Sequence, residues 1–471
     1  MQSKPVKSCN QNLPDSLCDL VCQLFPGIKD SDTGHHVIVA LSGGLDSSVL
    51  LHATNRLKEP LANLKVSAVH VHHGISDKAD AWDSHCEMLC SRLAVPYRCL
   101  TVDARAGAGE SPEEKARDCR YRALAGALGK GECLLSAHHQ DDQAETLLLQ
   151  LLRGAGPRGL AAMPEVSVLG EGRLVRPLLG FSRQQLHDYA RAHAITWVED
   201  DSNADTRLDR NFLRHQVVPS LKQRWPAMAA TLSRAAGHIA DSAALLDELA
   251  AIDLAQCQGS GASGGAGATE GPGVSALAGL DMRALGHLHS DRQRNLLRYW
   301  LRQLGLPVPQ SQQMQHVLTD VLHAGPDRVP CVQWPGVEVR RYRERLFAMP
   351  PLSLHDSHAR YGWNLTDPLA LSVGCLRSVP VSGKGLRANL GATGVTVAFR
   401  QGGEVCQPAG RQHHHDLKKL FQEAGIPPWQ RDRIPLLYVE NDLAAVAGLW
   451  VCQQFAAATN EAGLELHWQA S

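Results

Sequence analysis

The chain has 471 residues, 44% hydrophobic and 20% charged, which is too long for one ordinary core and normal for a soluble globular protein. The formal net charge of −1 does not advertise a polyanion partner, so a nucleic acid would need a local basic face. No apolar run reaches the ~18 residues of a membrane span, the N-terminus lacks a signal-like apolar core, and the 13 scattered cysteines suit reduced thiols, which together predict a cytoplasmic protein with no membrane partner.

Residues 1–35 read as an N-terminal extension. Between 36 and 216, short β-rich runs (36–42, 65–73, 97–104, 132–139) alternate with helical stretches, the signature of βαβ units. The fold class expected is α/β, with a doubly wound parallel sheet first. One helix has clear start signals, Ser111 as N-cap, Pro112 in the first turn and Glu114 closing a capping box, with Gly129 or Gly131 as its stop. From 217 to 350 the strand signal fades, which predicts a mainly helical middle domain. It carries the Gly/Ala/Ser tract 258–273, read as a flexible insertion. From 375 to 471 short strands, turns and one amphipathic helix predict a small α+β domain.

The stretch "VIVALSGGLDSSVLLH" (37–52) leaves a buried strand through two glycines. In an open parallel sheet, ligands bind at the carboxyl ends of strands. Gly43 and Gly44 let backbone N–H groups converge on an anion, and the following helix N-terminus favours phosphate. Ser42, Ser47 and Ser48 add hydroxyls. Asp46 is unsuited to phosphate but suits magnesium beside it. A ligand-free Gly-rich turn is the structural alternative. The motif is not a Walker loop, because neither Gly-Lys pair is followed by Ser or Thr. It resembles the SGGxDS signature of PP-loop ATP pyrophosphatases, which implies ATP bound by Ser42, Gly43, Gly44, Leu45, Asp46 and Ser47, with Mg2+ at Asp46. "GAGPRG" (154–159) mimics a dinucleotide fingerprint but follows a helix, which is the wrong context.

A second polar cluster, "SAHHQDDQAET" (136–146), falls where the fourth strand ends. Asp142, Glu145 and Thr146 share a helix face. Acids in a first turn also complement the helix dipole, so capping is the plain alternative. In "KARDCRYRAL" (115–124), Arg117 or Arg120 could reach the site while Tyr121 packs.

In order, "LSGGLDSS", "VHVHHGIS", "KARDCRYRAL", "HHQDDQAET", "LLRGAGPRGL", "RPLLGFSRQQL" and "EDDSNADTRLDRNFLRHQVVP" resemble the tRNA(Ile)-lysidine synthetases. "LKKLFQEAGIPPWQRDRIPLLYV" with "AVAGLWV" is similar to that family's C-terminal domain. The resemblance covers roughly 36–230 and 395–452. It implies ATP-dependent attachment of L-lysine to C2 of the wobble cytidine in tRNA(Ile) with a CAU anticodon. The 2-oxygen attacks the α-phosphate, pyrophosphate leaves, and the lysine ε-amine then displaces AMP. Decoding shifts from AUG to AUA and identity from Met to Ile.

The same resemblance maps catalytic roles onto His138 and Asp142 and has Glu145 grip the lysine ammonium; charge building on the transferring phosphorus calls for a positive group, for which Arg117 is the candidate. Freeing that amine at neutral pH costs roughly 4–5 kcal/mol, so a histidine or carboxylate could help accept its proton. For tRNA, the basic stretches supply Arg210, Asn211 and Arg214, and Lys418, Lys419 and Arg431; 338–346 is a further one. A homodimer is compatible with this reading. The rival PP-loop tRNA thiolases carry C-x-x-C pairs that this chain lacks. A free-standing amidating enzyme would need a glutaminase half, and a non-catalytic tRNA binder would not need an intact Asp46, His138, Asp142 and Glu145.

Overall fold

The computed structural model describes residues 12–26, 28, 35–74, 79–103, 105, 112–199, 205–259, 279–322, 325, 329–392 and 394–470. These condense into two units, residues 1–245 and 246–471.

In the first unit, α1 (Leu13–Leu24) opens at Asn12, whose Oδ1 accepts the Asp15 N–H at 3.1 Å. Leu13, Leu17, Leu20 and Val21 recur at helical spacing and join the same core as Val37, Val39, Leu50 and Leu51. The segment set apart from sequence as an extension thus contributes part of the first core. There follow β1 (His35–Ala40), α2 (Leu45–Arg56), β2 (Leu64–His72), α3 (Ala79–Arg92), β3 (Tyr97–Thr101), α4 (Pro112–Gly126), β4 (Cys133–Leu135) and α5 (Gln140–Leu152). Next come α6 (Pro157–Leu160), β5 (Val166–Leu169), β6 (Gly172–Val175) and α7 (Arg183–Ala192).

The strands form one sheet in the order β3-β2-β1-β4-β6-β5. All neighbours are parallel except the edge hairpin β5/β6. Strand β1 sits centrally because Val37, Ile38 and Val39 are buried on both faces. The hairpin is absent from the sequence reading: its two strands are only 4 residues each and too short to show a period. Helix α4 stops at Gly126, before the expected Gly129. Ser111 and the side chain of Glu114 lie outside the described residues.

After α7 the chain returns to the carboxyl edge as α8 (Asp209–Phe212), a π-helical turn (Leu213–Val217) and α9 (Val218–Arg224). Pro219 has no N–H to donate, which suits the widened turn just before it. The long α10 (Met228–Gly259) runs across the boundary of the two units. Gln258 and Gly259 complete this helix, while 260–273 of the expected insertion lie outside the described residues.

The second unit holds the helical segments α11 (Met282–His287), α12 (Ser290–Gln303) and α13 (Ser311–His316). They pack through Leu285, Leu296, Leu297, Trp300 and Met314 against a four-stranded antiparallel sheet that the sequence reading did not place. Its strands are β7 (Leu280–Asp281), β8 (Cys331–Trp334), β9 (Val337–Tyr342) and β10 (Arg345–Met349). Arg340 and Arg341 interrupt the alternation of β9, and β10 is a short apolar run after Arg345 that shows no period.

The C-terminal part has two further sheets around Trp363, Leu376, Val397, Phe399 and Trp468. One contains β11 (Tyr361–Trp363), β15 (Val395–Ala398), β18 (Leu436–Val439), β19 (Asp442–Val446) and β20 (Trp450–Val451). The other contains β12 (Leu369–Leu371), β13 (Gly374–Ser382), β14 (Leu386–Arg387) and β21 (Ala462–Ala470), and a small ribbon pairs β16 (Val405–Cys406) with β17 (His415–Asp416). The expected amphipathic helix is α14 (Leu417–Glu423), whose Leu417, Leu420 and Phe421 are buried, and α15 (Pro428–Arg431) follows it. Among the described residues no helix is long and apolar enough to cross a membrane.

Candidate active site

A cavity of about 700 Å³ opens at the carboxyl edge of the parallel sheet, within the range of a nucleotide pocket. Ser42, Gly44, Asp46 and Ser47 form one wall and Ser136, Ala137 and His138 another. Gly44 is the N-cap of α2 and supplies no side-chain bond, so the helix's first N–H groups keep their free valence for an anion. The Ser42 and Ser47 hydroxyls lie 3.0 Å apart, and Ser47 Oγ also bonds the Gly44 carbonyl at 3.1 Å. Gly43 turns the chain at φ +80°, where a Cβ would meet Val198 at 3.1 Å and Cys86 at 3.2 Å. Leu45 points into the core, so it offers only backbone. Ser48 is fully buried and faces the Gly43 carbonyl rather than the cavity, which corrects its expected role as a ligand donor.

Of the two arginines weighed on α4, Arg120 lines the cavity. Arg117 is exposed, stacked 5.1 Å from the Tyr121 ring centre. The candidate for charge neutralisation therefore moves from Arg117 to Arg120: the two lie side by side on one helix face, and only Arg120 borders the cavity. His70, His72, His73 and Trp82 also line the cavity and were missed from sequence. The strand-end rule that located Ser42 would have found the histidines, since β2 ends at His72, but not Trp82 within α3. Burial and Arg120 hold the His73 pKa below its usual value.

The second cluster sits at the start of α5. His139 is the N-cap: its Nδ1 faces the Asp142 N–H at 3.4 Å, and Asp142 Oδ2 accepts the His139 N–H at 3.0 Å. His139 Nε2 lies 3.5 Å from Asp46 Oδ2 and 3.4 Å from Asp142 Oδ2, so one nitrogen touches both polar clusters. Burial works against charge on this ring, but the Asp46 contact and the Asp142 and Asp141 carboxylates outweigh it and raise its pKa. His138 behaves oppositely. Burial, against the pull of Asp142, drives its pKa down to about 3, leaving a neutral ring with Nδ1 3.0 Å from Ser136 Oγ.

Asp142 is also buried, yet His139, Arg210 and His138 bring its pKa to about 2. Arg210 and Arg214 donate to Asp142 Oδ1 at 3.0 and 2.9 Å. Both also grip Glu145, Arg210 through Nε at 3.1 Å and Arg214 through Nε and Nη2 at 2.7 and 2.8 Å. Glu145 is 2% exposed and both its oxygens are occupied, so it holds arginines here rather than an open ammonium site. Asp141 joins Lys222 of α9 and the Arg183 N–H, the latter at 3.0 Å.

Two expected polynucleotide contacts are likewise committed inside the fold. The buried Asn211 amide donates to the Asp205 carbonyl at 3.0 Å. Arg431 is 7% exposed and donates to the Ile426 carbonyl and Tyr342 hydroxyl. Lys418 and Lys419 are exposed on α14.

Asp46 Oδ1 is buried without a hydrogen-bond partner among the described residues. A carboxylate oxygen orphaned beside a phosphate-suited helix end is a donor a hard divalent cation would take.

The family model for the PP-loop domain matches residues 20–221, that for the TilS substrate binding domain 280–347, and that for the TilS substrate C-terminal domain 395–468. The chain is 43% identical to a tRNA(Ile)-lysidine synthase of Methylococcus capsulatus, over 91% of this chain and 95% of that protein. It is 42% identical to one of Coxiella burnetii, over 95% and 96%, and 45% identical to one of Alkalilimnicola ehrlichii, over 89% and 91%.

Proposed function

The chain belongs to the tRNA(Ile)-lysidine synthase family and forms lysidine on tRNA(Ile), and from this we propose that the reaction runs in two steps in the first unit's cavity. The observation that carries this reading is the junction at His139, where one ring nitrogen contacts both the loop Asp46 and the cluster Asp142. A phosphate site and an acidic site that share a residue suit two steps on one cytidine carbonyl, the first at its oxygen and the second at C2.

In the first step the wobble cytidine 2-oxygen attacks the α-phosphorus of ATP and pyrophosphate leaves. The N–H groups at the start of α2, with Ser42 and Ser47, hold the departing pyrophosphate. Arg120 offsets charge developing on the phosphorus. Asp46 is the residue that would hold Mg2+, which when bound supplies charge neutralisation on phosphate oxygens.

In the second step the L-lysine ε-amine displaces AMP. Asp142 and Glu145 recognise the ammonium in exchange for part of the Arg210 and Arg214 contacts, so acid and guanidinium act as one unit. A base works best near the operating pH, which a histidine at about 3 and a carboxylate at about 2 do not approach. His138 and Asp142 therefore orient and bind rather than store the amine proton.

Lys418 and Lys419 contribute phosphate contacts to tRNA, making affinity fall with salt. Decoding changes from AUG to AUA as the product forms.

The test is incubation with labelled lysine, ATP and a CAU-anticodon tRNA(Ile) transcript, followed by nucleoside analysis and a pyrophosphate assay. Labelled lysidine with pyrophosphate released before lysine is added supports the reading. Lysidine formed with no lysine-independent pyrophosphate would overturn the two-step order.

A further inference from the structure

Besides capping α5 and joining the two polar clusters, His139 is 3% exposed and sits between the Asp46 and Asp142 carboxylates. Three geometric facts bear on it. Its Nδ1 side faces the Asp142 N–H, so Nε2 is the nitrogen left to donate. Nε2 approaches Asp46 at Oδ2, 3.5 Å away. The other oxygen of the same carboxylate, Oδ1, has no partner among the described residues although it is buried.

A carboxylate that binds a cation with one oxygen is best fixed by a hydrogen bond to the other. Such supporting contacts orient ligands, and their loss typically weakens metal binding ten- to a hundredfold. Helix capping alone explains neither the Asp46 contact nor the burial of an orphaned Oδ1, since a cap needs only Nδ1 and the backbone.

We infer that His139 is the positioning residue for Asp46: its ring sits against Oδ2 from the α5 side and so leaves Oδ1, partnerless among the described residues, to serve as a divalent-cation ligand. The inference rests on the reading of Asp46 as the cation's ligand. It also gives the two polar clusters a mechanical link. Asp142 and Asp46 are held by one ring, so the loop on α2 and the acids on α5 keep a fixed separation through both steps. The ring is itself fixed by the α5 cap and the surrounding core, which makes it a rigid support rather than a mobile one.

Two substitutions separate capping from positioning. His139→Asn retains a side chain that caps a helix well but is too short to reach Asp46. His139→Gln places an amide N–H near the position of Nε2. The probe is Mn2+ in the presence of pyrophosphate, with free Mn2+ measured by electron paramagnetic resonance on the full-length protein.

H139N is expected to weaken Mn2+ binding ten- to a hundredfold with little change in melting temperature, and H139Q to restore most of it. In turnover, H139N lowers kcat for pyrophosphate release about tenfold and leaves the KM for tRNA unchanged. Asp46→Asn serves as the reference and is expected to lose Mn2+ binding altogether. If D46N loses Mn2+ while H139N binds it within twofold of wild type, the positioning role is overturned and the metal reading stands. If D46N retains Mn2+ binding, the metal reading fails and the inference falls with it. Should H139N not fold, H139Q decides: wild-type Mn2+ affinity supports the role, and affinity as weak as that of D46N overturns it.

Discussion

The two polar clusters of the first unit are built in opposite ways. The Ser42–Ser48 loop is local: its hydroxyls bond each other or backbone within five residues, and its charge comes from the end of its own helix. The α5 cluster is assembled from afar. Glu145 and Asp142 find Arg210 and Arg214 65 to 72 residues later, and Asp141 finds Lys222 81 residues later. A site built from neighbouring residues needs only its own turn to form. A site made of long-range ion pairs depends on the chain returning correctly.

The largest expected effect breaks the local half. Asp46→Ala is expected to abolish pyrophosphate release while tRNA affinity stays nearly unchanged, because the role proposed for Asp46 is toward cation and phosphate rather than the polynucleotide. A filter-binding assay beside a pyrophosphate assay checks both, and normal adenylation would remove Asp46 from the loop's chemistry.

The distant half is challenged by Arg214→Ala. It leaves Glu145 buried with one guanidinium instead of two, so the charge stays paired and the cost stays below the ~3–5 kcal/mol of a fully broken buried pair. Melting temperature should drop by a few degrees, and with one competing guanidinium gone the lysine requirement should fall rather than rise. Glu145→Gln is expected to retain pyrophosphate release yet need about ten- to a hundredfold more lysine, since a charge-assisted contact contributes roughly 1.5–3 kcal/mol. Single-turnover assays at saturating ATP distinguish this from loss of adenylation, which would move Glu145 to the ATP half.

A pH series sharpens the same contrast. His138 has its folded pKa near 3 against an ordinary value of 6.5. The unfolded chain therefore binds the extra proton first, and the stability contributed by the neutral ring is complete above 6.5 and lost as pH falls towards 3. The expected slope is ~1.4 kcal/mol per pH unit for this one group. His138→Gln should flatten the denaturation midpoint between pH 4 and 6.5 relative to wild type; an unchanged slope would mean that the ring is charged in the fold.

The smallest effect is a local control on α7. Ser182→Ala removes the hydroxyl that caps the Gln185 N–H at 3.3 Å and should cost about 1 kcal/mol, visible as a small shift in urea midpoint with no change in lysine requirement.

Local physical chemistry was enough for much of the chain. Apolar runs bounded by turns identify β1 to β4, the glycine pair at 43–44 identifies the turn from β1 into α2, and Leu417, Leu420 and Phe421 mark α14. These signals survive in sequence because the residues that create each feature are neighbours. Only the tertiary structure decided that Arg120 rather than Arg117 enters the cavity, that Arg210 and Arg214 turn inward onto acids, and that Arg431 is enclosed. A basic residue reads the same in sequence whether it faces solvent, a phosphate or a buried carboxylate. The choice is made by helix phase and by which segment the chain brings back beside it, and desolvation then fixes the charge that remains.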